Sequence, residues 1–151
     1  MYIKGYELNE ETVSVIGKFA ILWNWFENKH CENKCSPRKI KEVANTISIN
    51  PISRDHFMNV LNNRRNCFGL REIEYVKNSL HPDNANKSKK ESITIMCDFL
   101  ENKGTELNCG CLLIIYRLRN NLMHGLKELG HLNGQIELFQ AAIAVLESIG
   151  E

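Results

Sequence analysis

The stretch Tyr116-Arg117-Leu118-Arg119-Asn120-Asn121-Leu122-Met123-His124-Gly125 decides how this chain folds. At ~100° per residue, Leu112, Ile115, Leu118 and Leu122 fall on one apolar arc, with Met123 at its edge. That spacing predicts a helix near residues 109–124, with Asn108 opening it and Gly125 stopping it. Arg119 falls inside the arc, between the directions of Ile115 and Met123, while Arg117 points toward the polar side. A guanidinium on a core-facing stripe is costly unless it is paired. Tyr116, Asn120 and His124 follow at four-residue steps and line a neighbouring stripe.

Working outward, helical periodicity accounts for nearly everything. Asn9 reads as the N-cap of a helix from about Glu10 to Lys29, with Glu10 and Glu11 in its first turn. Ile16, Phe19, Ala20, Trp23 and Phe26 form its apolar face. Ser36 and Pro37 start a second helix that stops near Ile47. Ser53 reads as the cap of a third, with Phe57, Val60 and Leu61 inward. Gly69 precedes a short helix carrying Ile73, Val76 and Leu80. Residues 81–88 read as a polar loop. A helix over residues 90–102 buries Ile93, Met96, Cys97 and Leu100, and Gly104 ends it. Residues 125–134 read as a linker before a last helix over residues 135–149. The only weak alternation is Ser92-Ile93-Thr94-Ile95, which helical periodicity also fits. The expectation is all-α: an up-and-down bundle of four main helices with one or two short extra helices, in a single domain over residues 1–151.

Composition narrows the function classes. The chain has 151 residues, is 43% hydrophobic and carries a formal net charge of +1. That content supports a sizeable core, and no global positive field announces a nucleic-acid binder. Any RNA contact must come from local patches: Arg64 and Arg65; Arg38, Lys39 and Lys41; or Lys87, Lys89 and Lys90. Each taken alone is better explained as a solvated helix face. Met1-Tyr2-Ile3-Lys4-Gly5-Tyr6 lacks the apolar core of a signal peptide, and no window approaches the ~20 apolar residues of a membrane span. The expected setting is the cytoplasm, where the six cysteines would stay reduced and form no disulfide framework. The spacings Cys31 to Cys35 and Cys109 to Cys111 differ from the knuckles of structural zinc sites, although His30 beside Cys31 is a potential metal ligand. His30, His56, His81 and His131 have no companion at an informative spacing.

Arg119-Asn120-Asn121-Leu122-Met123-His124 resembles the signature of the HEPN superfamily: arginine, a polar residue, three or four residues, then histidine. An apolar run precedes the arginine and glycine follows the histidine. In the first helix, Lys18-Phe19-Ala20-Ile21-Leu22-Trp23-Asn24-Trp25-Phe26-Glu27 is similar to the Leu-Trp-x-x-Phe-Asn/Glu stretch that opens Apea-like and related bacterial HEPN domains. Residues 32–108 carry no such signature. The resemblance implies a dimer with a composite, metal-independent ribonuclease site, in a bacterial defence or toxin setting.

The residue chemistry suits that expectation. His124 can exchange a proton near neutral pH, and Arg119 can hold a phosphate with two donors. The pair fits attack of an RNA 2′-hydroxyl on its own 3′-phosphate, with Arg119 stabilising the phosphorane and Asn120 orienting a ring or a phosphate oxygen. No metal and no cofactor are required. One histidine per chain is too few for separate base and acid, and a homodimer supplies the second.

Plainer readings exist for each residue. His124 can be a helix-end residue favoured by the helix dipole. Arg119 can be a structural arginine paired with Glu27, which continues the line Ile16, Ala20, Trp23 by one turn. Asn120 and Asn121 can be helix-end polar residues, and Tyr116 a rim residue of the core. Trp23 and Phe26 belong in the core, and Trp25 lies off that face. Found together in one turn, the residues favour a site: Arg119, His124 and Asn120 as catalytic candidates, with Glu27, Tyr116 and Asn121 in support.

The leading expectation is therefore a metal-independent endoribonuclease with RNA as substrate. The competing one is a non-catalytic HEPN module that dimerises and binds RNA, nucleotide or a partner protein such as an antitoxin. A third is a partner for a small nucleotidyltransferase.

Overall fold

The computed structural model describes residues 2–3, 5–63, 87–124 and 132–150. Within these, six helices follow in order: α1 (Glu10–His30), α2 (Pro37–Ala44), α3 (Pro51–Asn63), α4 (Lys87–Leu100), α5 (Leu107–His124) and α6 (Ile136–Glu147). Among the described residues, extended structure is limited to the two-residue strands β1 (Tyr2–Ile3) and β2 (Tyr6–Glu7), paired antiparallel, plus one bridge between Ser48 and Gly150. The chain is all-α. The expected short helix with Ile73, Val76 and Leu80, and residues 81–86 of the expected loop, lie outside the described residues. Lys87 and Ser88, assigned to that loop, instead open α4.

Caps and breaks explain where the helices begin. Ser36 accepts a hydrogen bond from the Lys39 backbone N–H at 3.1 Å, with Pro37 at the first helical position. α3 begins earlier than expected. Asn50, not Ser53, receives the first-turn contact, its Oδ1 accepting from the Ile52 N–H at 2.8 Å, and Pro51 occupies the first position. Asn9 does stand at the start of α1, but its side chain makes no capping bond. Asn133 supplies the acceptor from the other end of the chain. Its Oδ1 accepts from the Asn9 N–H at 2.9 Å and from the Thr12 hydroxyl at 2.8 Å, while its Nδ2 donates to the Glu7 carbonyl at 3.0 Å. Thr12 is fully buried, so its hydroxyl needs this partner.

The core forms where helix pairs meet. α1 packs on α6, where the Phe19 and Phe139 rings meet edge to face at 5.1 Å. α3 also lies on α6, α2 lies on α5, and α4 lies on α5. The last pair approaches closely because Gly110 has no Cβ. A carbon there would sit 2.6 Å from Phe99 Cβ and 2.8 Å from the Ile95 carbonyl oxygen. Leu112, Ile115 and Leu118 are buried as the arc requires, and Leu122 is half-buried. On α1 the buried line is Thr12, Phe19, Trp23 and Phe26. Ala20, expected on the apolar face, is exposed, and Ile16 is half-buried.

The cysteines correct one expectation. Cys31 and Cys35 are joined by a disulfide, with Cα atoms 5.0 Å apart. The chain leaves α1 through Glu32 and Asn33, whose φ angles of 53° and 76° reverse its direction and bring the two cysteines together. Cys109 and Cys111 are free and buried, and Cys97 is buried.

Candidate functional site

Two side-chain contacts join the C-terminal halves of α1 and α5 and gather most of the expected residues. Trp23 and Tyr116 meet with ring centroids 6.0 Å apart. One turn further along, Glu27 Oε1 stands 3.8 Å from Arg119 Nη2. The two contacts advance in the same sense on both helices. α1 and α5 therefore run parallel here, and their C-terminal ends meet at one corner of the bundle.

Glu27 is held from two sides. Its side chain is only 13% exposed, and its Oε2 accepts a hydrogen bond from the Cys35 backbone N–H at 3.1 Å. The carboxylate thus bridges the disulfide turn and the guanidinium. The expected apolar line does not lead to Glu27, because Ala20 is exposed. Arg119 is one-third exposed, and its Nη1 donates to Asn120 Oδ1 at 3.1 Å. Asn120 is half-buried, as is Tyr116. The cation on the apolar arc is therefore paired on one side and open to solvent on another.

The backbone of α5 continues through His124. The side chains of Asn121, Met123 and His124 lie outside the described residues. Arg117, expected to face solvent, is half-buried. Trp23 is buried, and its Nε1 has no hydrogen-bond partner among the described residues. Trp25, off the core face as expected, is 38% exposed, with Lys29 Nζ 5.9 Å above its ring.

The basic groups expected as RNA patches are not bare. Lys39 lies 3.5 Å from Glu32 and 3.8 Å from Glu42. Arg38 lies 3.8 Å from Glu42, and Lys41 lies 3.9 Å from Glu91. Arg64 and Arg65 lie outside the described residues, as does the Lys87 side chain, and Lys89 is exposed. The buried thiols are poor nucleophiles: burial, reinforced by the Glu106 carboxylate, pushes Cys109 up to about 11, and burial holds Cys111 far above the ordinary thiol range. Cys31 is tied to Cys35, and the neighbouring His30 ring packs against Phe26 at 5.3 Å. No cluster of three or more metal-ligating side chains occurs among the described residues.

A cavity of about 190 Å³ opens at the other end of α5, where Arg54 Nη1 donates to Asn108 Oδ1 at 2.8 Å. Asn108 and Arg119 are eleven residues apart, which is ~16 Å of helix. The cavity is thus separate from the corner that holds Arg119.

Among the described residues, no helix is long and apolar enough to cross a membrane. Comparison with known proteins returns no match among family models, curated proteins or solved structures.

Proposed function

We propose that this chain is a metal-independent endoribonuclease of the HEPN type, working in a bacterial defence or toxin setting. The observation that carries this reading is the corner itself. A guanidinium supported by Glu27 and Asn120 stays one-third open to solvent, five residues before a histidine on the same helix. In this reading Arg119 receives a phosphate oxygen. His124 moves the proton of the attacking 2′-hydroxyl or of the leaving 5′-oxygen.

Helix geometry favours a two-fold dimer. Five residues turn the helix by ~500°, so positions 119 and 124 lie about 140° apart around the axis of α5. One helix therefore sets the two positions on different sides. A second copy across a two-fold axis places one chain's arginine near its partner's histidine, and it also supplies separate acid and base. Positions 120 and 124 are four apart along the helix, and in this reading Asn120 orients the ring.

The test is to incubate the protein with total RNA in EDTA, beside His124→Ala. Cleavage by the first and not by the second supports the reading. Equal cleavage by both assigns the activity to another site or to a contaminant. The alternative is a non-catalytic module that dimerises and binds RNA, nucleotide or a partner protein. The net charge of +1 and the acidic neighbours of Arg38, Lys39 and Lys41 favour it, and failure of both proteins to cleave would select it. Pairing with a small nucleotidyltransferase is a special case of that alternative.

A further inference from the structure

We infer that the Cys31–Cys35 disulfide is a redox latch that holds Glu27 against Arg119 and so sets how available the guanidinium is to an anion. The inference rests on the reading of Arg119 as the phosphate-binding group and adds its regulation.

The chain of contacts is short. The two cysteines are four positions apart, with three residues between them. The cross-link closes a turn in which Glu32 and Asn33 both adopt left-handed backbone, a conformation that costs non-glycine residues free energy. The Asn33 N–H donates back to the Glu27 carbonyl at 3.0 Å, as does the Cys31 N–H at 3.0 Å. The turn delivers the Cys35 N–H to Glu27 Oε2 at 3.1 Å. That bond leaves Oε1 directed at Arg119, 3.8 Å away. Among the described residues, Glu27 is the carboxylate that neutralises Arg119, and its orientation depends on the amide of a disulfide cysteine.

Opening the latch is a two-electron reduction. A cellular dithiol attacks one sulfur, the mixed disulfide resolves, and two protons and two electrons leave Cys31 and Cys35 as thiols while the dithiol becomes a disulfide. Both cysteines are buried, but the residues between them, Glu32, Asn33 and Lys34, are exposed, so local opening of the turn admits the reductant. Without the cross-link the left-handed pair relaxes and the Cys35 amide leaves the carboxylate. Glu27 then loses its orientation, and Arg119 is no longer partly neutralised. The reduced protein offers the freer guanidinium.

Two measurements decide this without relying on RNA cleavage. Non-reducing tryptic mapping should find the peptide of residues 30–34 linked to that of residues 35–38, since Lys34 lies between the cysteines. Finding both cysteines freely alkylated in air-oxidised protein would overturn the latch. Phenylglyoxal, an arginine-selective reagent, then reads the availability of Arg119 by mass spectrometry. Wild type should react several-fold faster at Arg119 after dithiothreitol. Cys31→Ser/Cys35→Ser should react at the reduced rate in both conditions, and Glu27→Gln should react fast in both. An unchanged rate in wild type, or a redox effect that persists in Glu27→Gln, would contradict the mechanism. If these arms succeed and the protein cleaves no RNA in either redox state, the latch stands and the ribonuclease reading fails.

Discussion

Glu27 on α1 and Arg119 on α5 face each other at 3.8 Å, with Glu27 13% and Arg119 33% exposed. The separation is long for a charge-assisted hydrogen bond, and the arginine is wet on one side. The pair therefore orients more than it stabilises. Breaking a fully buried pair costs ~3–5 kcal/mol. Here Glu27→Ala should cost about 1–2 kcal/mol in denaturant melting, which also counts the lost bond from the Cys35 N–H. A loss at the fully buried level would show that the corner closes over Arg119 in solution.

Asn133 should matter to stability although it lies far from the corner. Asn133→Ala leaves the buried Thr12 hydroxyl and the Asn9 N–H without their acceptor, at a cost of about 2 kcal/mol. Asn133→Asp keeps the acceptor but turns a carboxylate oxygen toward the Glu7 carbonyl where the amide donates, so it too should melt below wild type. Equal melting of all three would remove the clamp from the account.

Gly110→Ala should destabilise, against helix propensity. Alanine gains about 1 kcal/mol over glycine inside a helix. The new Cβ would meet the Ile95 carbonyl at 2.8 Å, and main chain cannot swing aside as a side-chain tip can. α4 and α5 must separate, which costs about 1–3 kcal/mol and outweighs the gain. A thermal melt equal to or above wild type would show that the two helices do not approach this closely.

The buried thiols predict alkaline sensitivity. Cys109 keeps its proton up to about 11 in the folded chain, while an unfolded thiol ionises near 8.5. Between these values the unfolded state binds fewer protons, so stability falls as pH rises. The melting temperature should drop between pH 8 and pH 10.5, and the drop should be shallower in Cys109→Ala. Parallel pH profiles for the two proteins would place the sensitivity elsewhere.

Much of this architecture is legible in the sequence because its signals are local. The arc through Leu112, Ile115 and Leu118 reads directly as a buried helix stripe, and Ser36 with Pro37 reads as a helix start. Ser53 reads as the cap of the third helix, but Pro51, with its fixed φ, is the first residue of α3. Asn133 holds the start of α1 through Asn9 and Thr12 from 124 residues beyond Asn9, so no window around Asn9 reveals it. Ala20 is exposed because α1 buries only the narrow line from Thr12 to Phe26. The disulfide was hidden because compartment argues against it, while the turn that forms it depends on left-handed backbone at Glu32 and Asn33. At the corner, charge on an apolar arc pointed from Arg119 to Glu27. Nothing in the spacing pointed to the Cys35 amide that holds Glu27 in place.

The most direct measurement of the central claim uses a short RNA containing a mapped cleavage site and the same RNA with a single 2′-deoxy nucleotide there, both in EDTA. The proposed chemistry predicts cleavage of the first to a 2′,3′-cyclic phosphate or 3′-phosphate and a 5′-hydroxyl, and no cleavage of the second. Arg119→Lys and His124→Ala should both be inactive, because an ammonium lacks the forked donors of a guanidinium and alanine transfers no proton. Cleavage of the deoxy-substituted RNA at the same bond, or 5′-phosphate products, would contradict the account.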